Sequence, residues 1–207
     1  GLTIHGDLLV DAIVAQGCRP IGQPAVVTKS AQNILLALDD RKPMDVLREV
    51  FEASEDRDRA LINSALHLGF VNDPLKEHPH PGDFLIRNVL GVQKEDEGLI
   101  VGDILRDGQV VQFHVRDALT AEEDLQTMLR QYSGNNDVKG NSGALLFSCL
   151  GRGMHLFGKP DHDTNIFRTE VGPLPLAGFF CNGEIGPVGL STYLHGFTSS
   201  FAIFQPR

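Results

Sequence analysis

The sequence has little positive charge, few cysteines and no long hydrophobic run. Its 207 residues include 18 Lys and Arg against 27 Asp and Glu, so the formal net charge at pH 7 is −9. Nucleic acids and anionic membranes attract clustered positive charge, because it neutralises their phosphates. The acidic balance therefore argues against both as partners.

The cysteines and the lack of a recognisable export signal indicate in which cellular compartment the protein resides. Cys18, Cys149 and Cys181 are odd in number and form no CxxC pair, which favours a reducing environment. The longest apolar runs, such as residues 143–150, are far shorter than the roughly 20 residues of a membrane helix. No basic stretch followed by an apolar segment stands at the start. We therefore predict a cytoplasmic protein, and the initial Gly1 suggests a fragment of a longer chain.

Glycine and phenylalanine are abundant in an otherwise ordinary globular composition. The chain is 42% hydrophobic and 22% charged, with 22 Gly and 12 Phe. A chain of this length buries roughly 70% of its unfolded surface, so its core needs no disulfides. The composition predicts a turn-rich globular protein.

Two segments have the spacing of amphipathic helices. The first begins at Pro43, which suits the first turn of a helix. The second follows Thr120, which forms a capping-box pattern with Glu123. The apolar stripes, with spacings of three, four and seven residues, consist of Met44, Leu47, Phe51, Leu125, Met128, Leu129 and Tyr132. Each helix is therefore expected to pack one face on a core.

Apolar runs predict strands between these helices. They cover residues 7–14, 25–29, 33–38, 66–70, 84–92, 99–105, 109–116, 143–149, 176–181 and 194–204. Residues 17–22 predict a turn, and 143–149 a strand buried on both faces. Asp107-Gly108 predicts a hairpin. The fold class is therefore α+β, a mostly antiparallel or mixed sheet with a few amphipathic helices packed on it.

The alternation within 109–116 predicts a strand with one solvent-exposed face. Val111, Phe113 and Val115 share one face, while His114 and its polar neighbours share the other. His114 is therefore expected to be solvated, as are His78 and His80 in a proline-rich loop. No glycine-rich phosphate-binding motif is present, so no nucleotide cradle is predicted.

Two glycine-flanked turns after apolar strands are the candidate ligand site. Glycines at strand ends let backbone N–H groups approach a ligand. Arg152 offers a planar fork for a carboxylate, and Glu184 could accept hydrogen bonds from an amine, which together suit an amino acid. The alternative is that the cysteines are buried hydrophobes and Glu184 pairs with a local Arg. The predicted ligand-binding residues are Cys149, Arg152, Gly153, Asn182, Gly183 and Glu184.

Three other chemistries are alternatives to ligand binding. A cysteine-dependent enzyme would use Cys149, with a pKa lowered by Arg152 and with His155 nearby, but no nucleophile signature is present, so we predict no enzyme. A haem sensor needs an axial ligand, and His195 is the residue we would test, although a buried core histidine is the simpler interpretation. Residues 161–163 (Asp-His-Asp) are better explained as a solvated helix cap than as a metal site.

Three segments resemble the C-terminal half of FIST-domain proteins (F-box and intracellular signal transduction proteins). They are residues 143–153 (GALLFSCLGRG), 178–185 (GFFCNGEI) and 194–198 (LHGFT). Residues 33–38, with the following Asp turn and Pro43-led helix, resemble the start of that half. The resemblance implies a division into residues 1–27, the end of a mostly absent N-terminal half, and residues 28–207, the C-terminal domain.

The resemblance also implies a function. FIST domains are cytoplasmic sensory domains that bind small ligands, with amino acids proposed, and pass a signal to a downstream protein. Some relatives bind haem as gas sensors, and a eukaryotic branch recruits substrates for ubiquitin ligases through an F-box that these 207 residues lack. The positions that match the family pattern are Cys149, Arg152, Gly183 and Glu184, whereas Cys181-Asn182 departs from it.

Overall fold

The computed structural model describes residues 3–73, 79, 82–138 and 141–207. The helices are α1 Pro43–Ala53, α2 Asp56–Ser64, α3 Ala118–Asn135, α4 Met154–Phe157 and α5 His162–Glu170. The strands are β1 Leu8–Ala15, β2 Arg19–Ala31, β3 Ile34–Leu38, β4 Leu66–Val71, β5 Phe84–Val92, β6 Leu99–Val101, β7 Val110–Val115, β8 Gly143–Cys149, β9 Leu176–Cys181, β10 Glu184–Val188, β11 Ser191–His195 and β12 Ser199–Pro206. The predicted α+β class is confirmed. In the part of the chain described, no helix has the length and apolar character to cross a bilayer.

The chain divides into two compact units, which we call the sheet unit and the barrel unit. The sheet unit comprises residues 1–17 and 118–207, and the barrel unit comprises residues 18–117. Each unit has its own core.

The barrel unit is a closed barrel with the strand order β2-β3-β6-β5-β4-β7. The predicted turn at residues 17–22 is wrong beyond its first residues, because β2 begins at Arg19 and runs for 13 residues. Gly22 has φ +64° and lies where the register between β2 and β7 shifts. A glycine inside a strand often marks such an irregularity, and here the local sequence alone could not separate it from a turn.

The solvent-exposed face predicted for β7 is also wrong. His114 is 1% exposed, and both faces of the strand are buried. Closure of the barrel pairs β7 with β2 on one side and with β4 on the other. The Nδ1 atom of His114 forms a hydrogen bond with the Gln112 carbonyl at 3.0 Å. The Nη1 atom of Arg116 lies 3.1 Å from Nε2 of His67. The polar residues are therefore buried because they find partners inside the unit. His78 and His80 lie outside the described residues.

The sheet unit contains a four-stranded sheet with the order β1-β12-β8-β9. The β8–β9 pair is parallel, and the other pairs are antiparallel. Helices α3 and α5 pack on one face, and β10 and β11 form a separate hairpin. The core contains Ile13, Ala15, Leu125, Leu129, Ala144, Leu146, Phe167, Phe201 and Ile203.

Three details of the sheet unit differ from the prediction. Helix α3 begins at Ala118, so Thr120 is buried within its first turn and is not a capping residue. The single strand expected at 194–204 is two strands, because the chain turns at Phe197, which has φ +60°. Strand β8 has the predicted bounds, although Leu145 and Phe147 on one face are only half-buried.

Candidate functional site

The two glycine-flanked turns meet at one edge of the sheet. Strands β8 and β9 are parallel neighbours, and their last residues, Cys149 and Cys181, stand opposite each other in register. The N–H of Leu150 donates to the Cys181 carbonyl at 2.8 Å, which continues the pairing beyond β8. The parallel register therefore brings both predicted turns to the same end of the two strands.

A cavity of about 720 Å³ lies on the α5 side of this edge. Its apolar walls come from β9 and from the segment after β8. Four large side chains of these walls are more than half exposed, namely Leu150, Met154, Phe179 and Phe180. Exposed apolar side chains that converge on one concavity are typical of a binding site.

A buried ion pair stands in the polar part of this cavity. Arg152 donates from Nε to Asp163 Oδ2 at 2.8 Å and from Nη2 to Oδ1 at 3.0 Å. The exposed fractions of the two side chains are 0% and 7%. A bidentate pair of this kind is strong in geometry, and removing one partner would leave a buried charge uncompensated.

Asp163 also accepts hydrogen bonds from three other side chains. Ser148 Oγ donates at 3.1 Å, Ser199 Oγ forms a short contact, and His162 Nδ1 lies at 2.9 Å. Burial by itself would raise the pKa of Asp163. The hydrogen bonds from His162 and Arg152 and the Arg152 charge outweigh burial and hold that pKa well below its usual range. Asp163 is therefore ionised over the working pH range of most proteins.

His162 links this network to α3. Its Nε2 lies 3.1 Å from Oε2 of Glu122, and its Nδ1 faces Asp163. The Phe157 ring stacks on the imidazole with the ring centroids 3.3 Å apart and the planes at 7°. Arg152 Cζ lies 5.2 Å from the centroid of the same Phe157 ring. Contacts on both ring nitrogens and one ring face hold the imidazole in one orientation.

The predicted residues of the first turn other than Cys149 line this cavity, whereas Cys149 and the predicted residues of the second turn do not. Arg152 and Gly153 are lining residues, and Asn182 is exposed. Glu184 is 1% exposed, and its Oε2 accepts the N–H of Thr198 at 3.2 Å. Burial raises the pKa of Glu184, which hydrogen bonds from Thr198, Gly183 and the Cys149 thiol only partly oppose.

The prediction for residues 161–163 needs correction. Asp163 and His162 are buried rather than solvated, and Asp161 makes no side-chain capping bond to α5. Across residues 3–73, 79, 82–138 and 141–207, no group of three or more His, Cys, Asp or Glu is placed to hold a metal ion.

His195 has the surroundings of a core histidine. It is 4% exposed, and its Nε2 lies 3.0 Å from the Gly186 carbonyl across the β10–β11 hairpin. It does not line the cavity. An axial haem ligand needs a nitrogen that faces an open site, so His195 and its surroundings do not fit haem. His155 lines the cavity, whereas Cys149 does not.

Sequence reasoning missed the residues that surround Arg152. Ser148 and Ser199 interrupt apolar strands, which is a signal that a buried partner exists. Asp163 carried no comparable signal, because an acidic residue at a helix start is ordinarily explained as a cap.

Two family models cover nearly the whole chain. The FIST N domain matches residues 1–41, and the FIST C domain matches residues 43–187. The boundary between the two matches falls next to the first residue of α1.

The chain is similar to several curated proteins. It is 40% identical over 192 residues to an uncharacterized protein of Mycobacterium bovis, which covers 93% of this chain and 50% of that protein. An uncharacterized protein of Mycobacterium tuberculosis is 40% identical over 194 residues, with the same two coverages. An F-box/LRR-repeat protein of Arabidopsis thaliana is 26% identical over 144 residues, which covers 62% of this chain and 27% of that protein.

The chain thus spans about half the length of the mycobacterial relatives that it matches. The resemblance read from residues 143–153 and 178–185 is confirmed by the family matches. The chain belongs to the FIST family, whose domains are in general sensory and signal-transduction domains.

Proposed function

We propose that the sheet unit is the ligand-binding part of a cytoplasmic sensory protein, and that its ligand is a small organic molecule held in the cavity beside β9. The observation that carries the proposal is the cavity itself, with a volume of about 720 Å³. That volume lies in the range of known small-molecule sites. Its exposed apolar walls and buried charged network are the usual composition of such sites.

The walls favour an amphipathic ligand, and apolar amino acids are the first class to test. Phe179, Phe180 and Met154 offer apolar surface for a side chain. Ser148, Arg152 and His162 contribute polar groups to the lining of the cavity. We keep the amino-acid hypothesis on this basis, without the amine role for Glu184.

We assign Arg152 a positioning role in this site. Two of its donor nitrogens, Nε and Nη2, already serve Asp163, and Nη1 lies 3.4 Å from the Phe197 carbonyl. A ligand carboxylate would have to compete with this internal carboxylate. Arg152 therefore supports the cavity by holding the start of α5 through Asp163. The apolar wall residues would make most of the contacts that recognise the ligand.

A sensory domain needs a downstream partner protein as well as a ligand. We propose that a downstream signalling protein recognises the occupied state, as is general for sensory domains. Segment α4 lines the cavity and lies between Gly153 and Gly158, which have φ +61° and +64°. Glycine tolerates this conformation without strain, so α4 is a suitable segment to adjust on ligand binding.

Thermal-shift and calorimetric titration with a panel of apolar and polar amino acids tests the proposal. The variant Met154→Glu places a charge on the apolar wall, and Met154 is 59% exposed, so the fold should tolerate the change. Leu190→Glu is the matched control, because Leu190 is fully exposed outside the cavity lining. A ligand of the cavity raises Tm in the wild type and in Leu190→Glu, and binds at least about tenfold more weakly to Met154→Glu.

Two results would contradict this function. One is a ligand that stabilises all three proteins equally, which would locate binding elsewhere. The other is a panel in which no amino acid or related small molecule shifts Tm in the wild type.

A further inference from the structure

The ends of β8 and β9 carry two reactive groups, a pair of thiols, that the proposed ligand binding does not use. Cys149 and Cys181 are the last residues of the two strands and are directly opposite in the parallel register. Both are free thiols. Register partners on adjacent strands point to the same face of the sheet, so both thiols lie on one face.

Strand geometry places such a pair within reach of a disulfide. Adjacent strands lie about 4.7–4.9 Å apart, and disulfides form across Cα–Cα distances of about 4.4–6.8 Å. Gly183 follows the pair in the turn, with φ +153°. The backbone after Cys181 can therefore adjust as the sulfur atoms approach.

The surroundings of the two thiols differ in a way that suits a stepwise oxidation. Cys149 is 8% exposed, and its thiol is near enough to the buried Glu184 carboxylate to lower the pKa of Glu184. Cys181 is half-buried, with its Sγ 3.7 Å from the Phe179 carbonyl. The half-buried Cys181 thiol is accessible to a small oxidant, and the buried Cys149 thiol has the Glu184 carboxylate nearby as a proton acceptor.

We propose that Cys149 and Cys181 are a redox pair that hydrogen peroxide converts to an intrachain disulfide. In the first step the Cys181 sulfur attacks a peroxide oxygen, the O–O bond breaks, and the products are a sulfenic acid and water. In the second step the Cys149 sulfur attacks the sulfenic sulfur, the S–S bond forms, and a second water leaves. The peroxide is reduced, the two thiols are oxidised, and a dithiol reductant reverses the change.

The rate of this oxidation is expected to be slow. Burial raises the pKa of the Cys181 thiol, and the charges of Glu184 and Cys149 raise it further. A smaller thiolate fraction lowers the rate of attack on peroxide. The pair therefore fits a response to sustained peroxide rather than a peroxide-consuming activity.

One consequence rests on the proposed function. Strand β9 supplies wall residues of the cavity, and its far edge has no partner strand among the described strands of this sheet. A disulfide would tie its last residue covalently to β8 and limit movement of Phe179 and Phe180. Ligand affinity should then differ between the oxidised and reduced proteins, whereas disulfide formation itself needs no ligand.

Peptide mapping after treatment with hydrogen peroxide tests the proposal directly. Trypsin places the three cysteines on separate peptides, residues 1–29, 140–152 and 169–207, because Arg19 and Lys159 precede proline. The expected result is a linked pair of peptides 140–152 and 169–207 under non-reducing conditions. Intact mass should fall by the mass of two hydrogens, and a dithiol reductant should restore it.

Matched serine variants separate this pair from other thiol chemistry. Cys18→Ser should form the linked peptides as the wild type does, whereas Cys149→Ser and Cys181→Ser should not. In Cys149→Ser, a sulfenic-acid trap should label Cys181. Circular dichroism confirms that each variant is folded.

Three results would overturn the proposal. They are oxygen adducts on Cys181 with no linked peptides in the wild type, a linkage that includes Cys18, and linkage only between two protein molecules. Each is read from mass alone, so the redox pair can fail while ligand binding stands. Conversely, a correct linkage in a protein that binds no amino acid would leave the redox pair intact.

Discussion

The two units each bury a polar cluster, and the clusters handle charge in opposite ways. In the barrel unit, His67, His114 and Arg116 form a cluster that we call the barrel cluster. In the sheet unit, Arg152, Asp163 and His162 form the cavity cluster. The first holds neutral histidines beside an arginine, whereas the second holds a complete ion pair.

Burial beside an arginine keeps the two histidines of the barrel cluster neutral. Desolvation is the main cause that lowers the pKa of His67 and of His114 to about 4. The Arg116 charge lowers both pKa values further, because a second positive charge nearby is unfavourable. Neutral His67 can then accept a hydrogen bond from Arg116 through Nε2.

Asp163 is also buried, but five hydrogen-bond donor atoms surround its carboxylate, and this group stays charged. Its hydrogen bonds and the Arg152 charge keep the carboxylate ionised in spite of desolvation. The partners around a buried group, and not burial alone, therefore decide its charge. The two clusters should therefore respond differently to mutation and to pH.

The largest expected effect comes from removing one member of the ion pair. Asp163→Ala leaves the Arg152 guanidinium buried and unpaired, which should lower the free energy of unfolding by about 3–5 kcal/mol. Urea unfolding followed by far-ultraviolet circular dichroism measures the loss. The double variant Arg152→Met, Asp163→Leu removes both charges and should recover most of it.

Asp103→Ala is the control for that variant. Asp103 pairs with Arg87 at 2.6 Å in the barrel unit, but its side chain is 37% exposed. An exposed pair of this kind contributes about 1 kcal/mol or less. If Asp163→Ala cost no more than Asp103→Ala, the cavity cluster would not depend on its ion pair.

Lowering the pH from 7 to 5 should destabilise the barrel unit. The folded-state pKa of His67 and His114 is about 4, below the value of about 6.5 in the unfolded chain. The unfolded state therefore binds protons first as the pH falls, and stability is lost between about pH 6.5 and 4. The loss should be about 2 kcal/mol for each histidine by pH 5.

Hydrogen exchange of peptides from β4 and β7 measures this loss, and α5 peptides provide the contrast. The stability that ionised Asp163 contributes is lost only below about pH 4, the pKa of an unfolded aspartate. His114→Gln should remove about half of the pH dependence in the barrel unit. Greater loss of protection in α5 than in β7 between pH 7 and 5 would reverse the comparison.

The smallest expected effect distinguishes a charged acceptor from a neutral one within the sheet unit. Ser199 donates to the Asp163 carboxylate, and its neighbour Ser200 donates to the Ile185 carbonyl at 3.3 Å. Both are buried and lie on opposite faces of β12. Ser199→Ala should cost about 2 kcal/mol and Ser200→Ala about 1 kcal/mol in urea unfolding. Equal losses would indicate that the Asp163 charge adds nothing to the hydrogen bond.

Elements with a strong repeating pattern could be predicted well. The buried residues Leu125 and Leu129 of α3 are those of the predicted stripe, and the bounds of β5, β8 and β9 match the predicted runs. These features depend on side chains that are near one another in the sequence. The polar face of β7 was misread, because its burial depends on strands β2 and β4, which are far away along the chain.

The candidate site could be predicted only in part. The turn with Arg152 and Gly153 was identified from its glycines and its position after an apolar strand, and it does line the cavity. The partner of Arg152 was missed, because Asp163 lies on another element and resembles an ordinary helix cap. A single sequence records which groups can pair, but not which groups the chain brings together.

The sequence by itself determined the α+β class, the family and the two helices with clear stripes. Periodicity and family motifs are properties of neighbouring residues, and they hold wherever the segment lies in the fold. Only the tertiary structure decided that Arg152 holds Asp163, that His114 is neutral and buried, and that Cys149 faces Cys181. Those outcomes depend on strand order and register, since burial and charge are set by groups that meet only when the chain has folded.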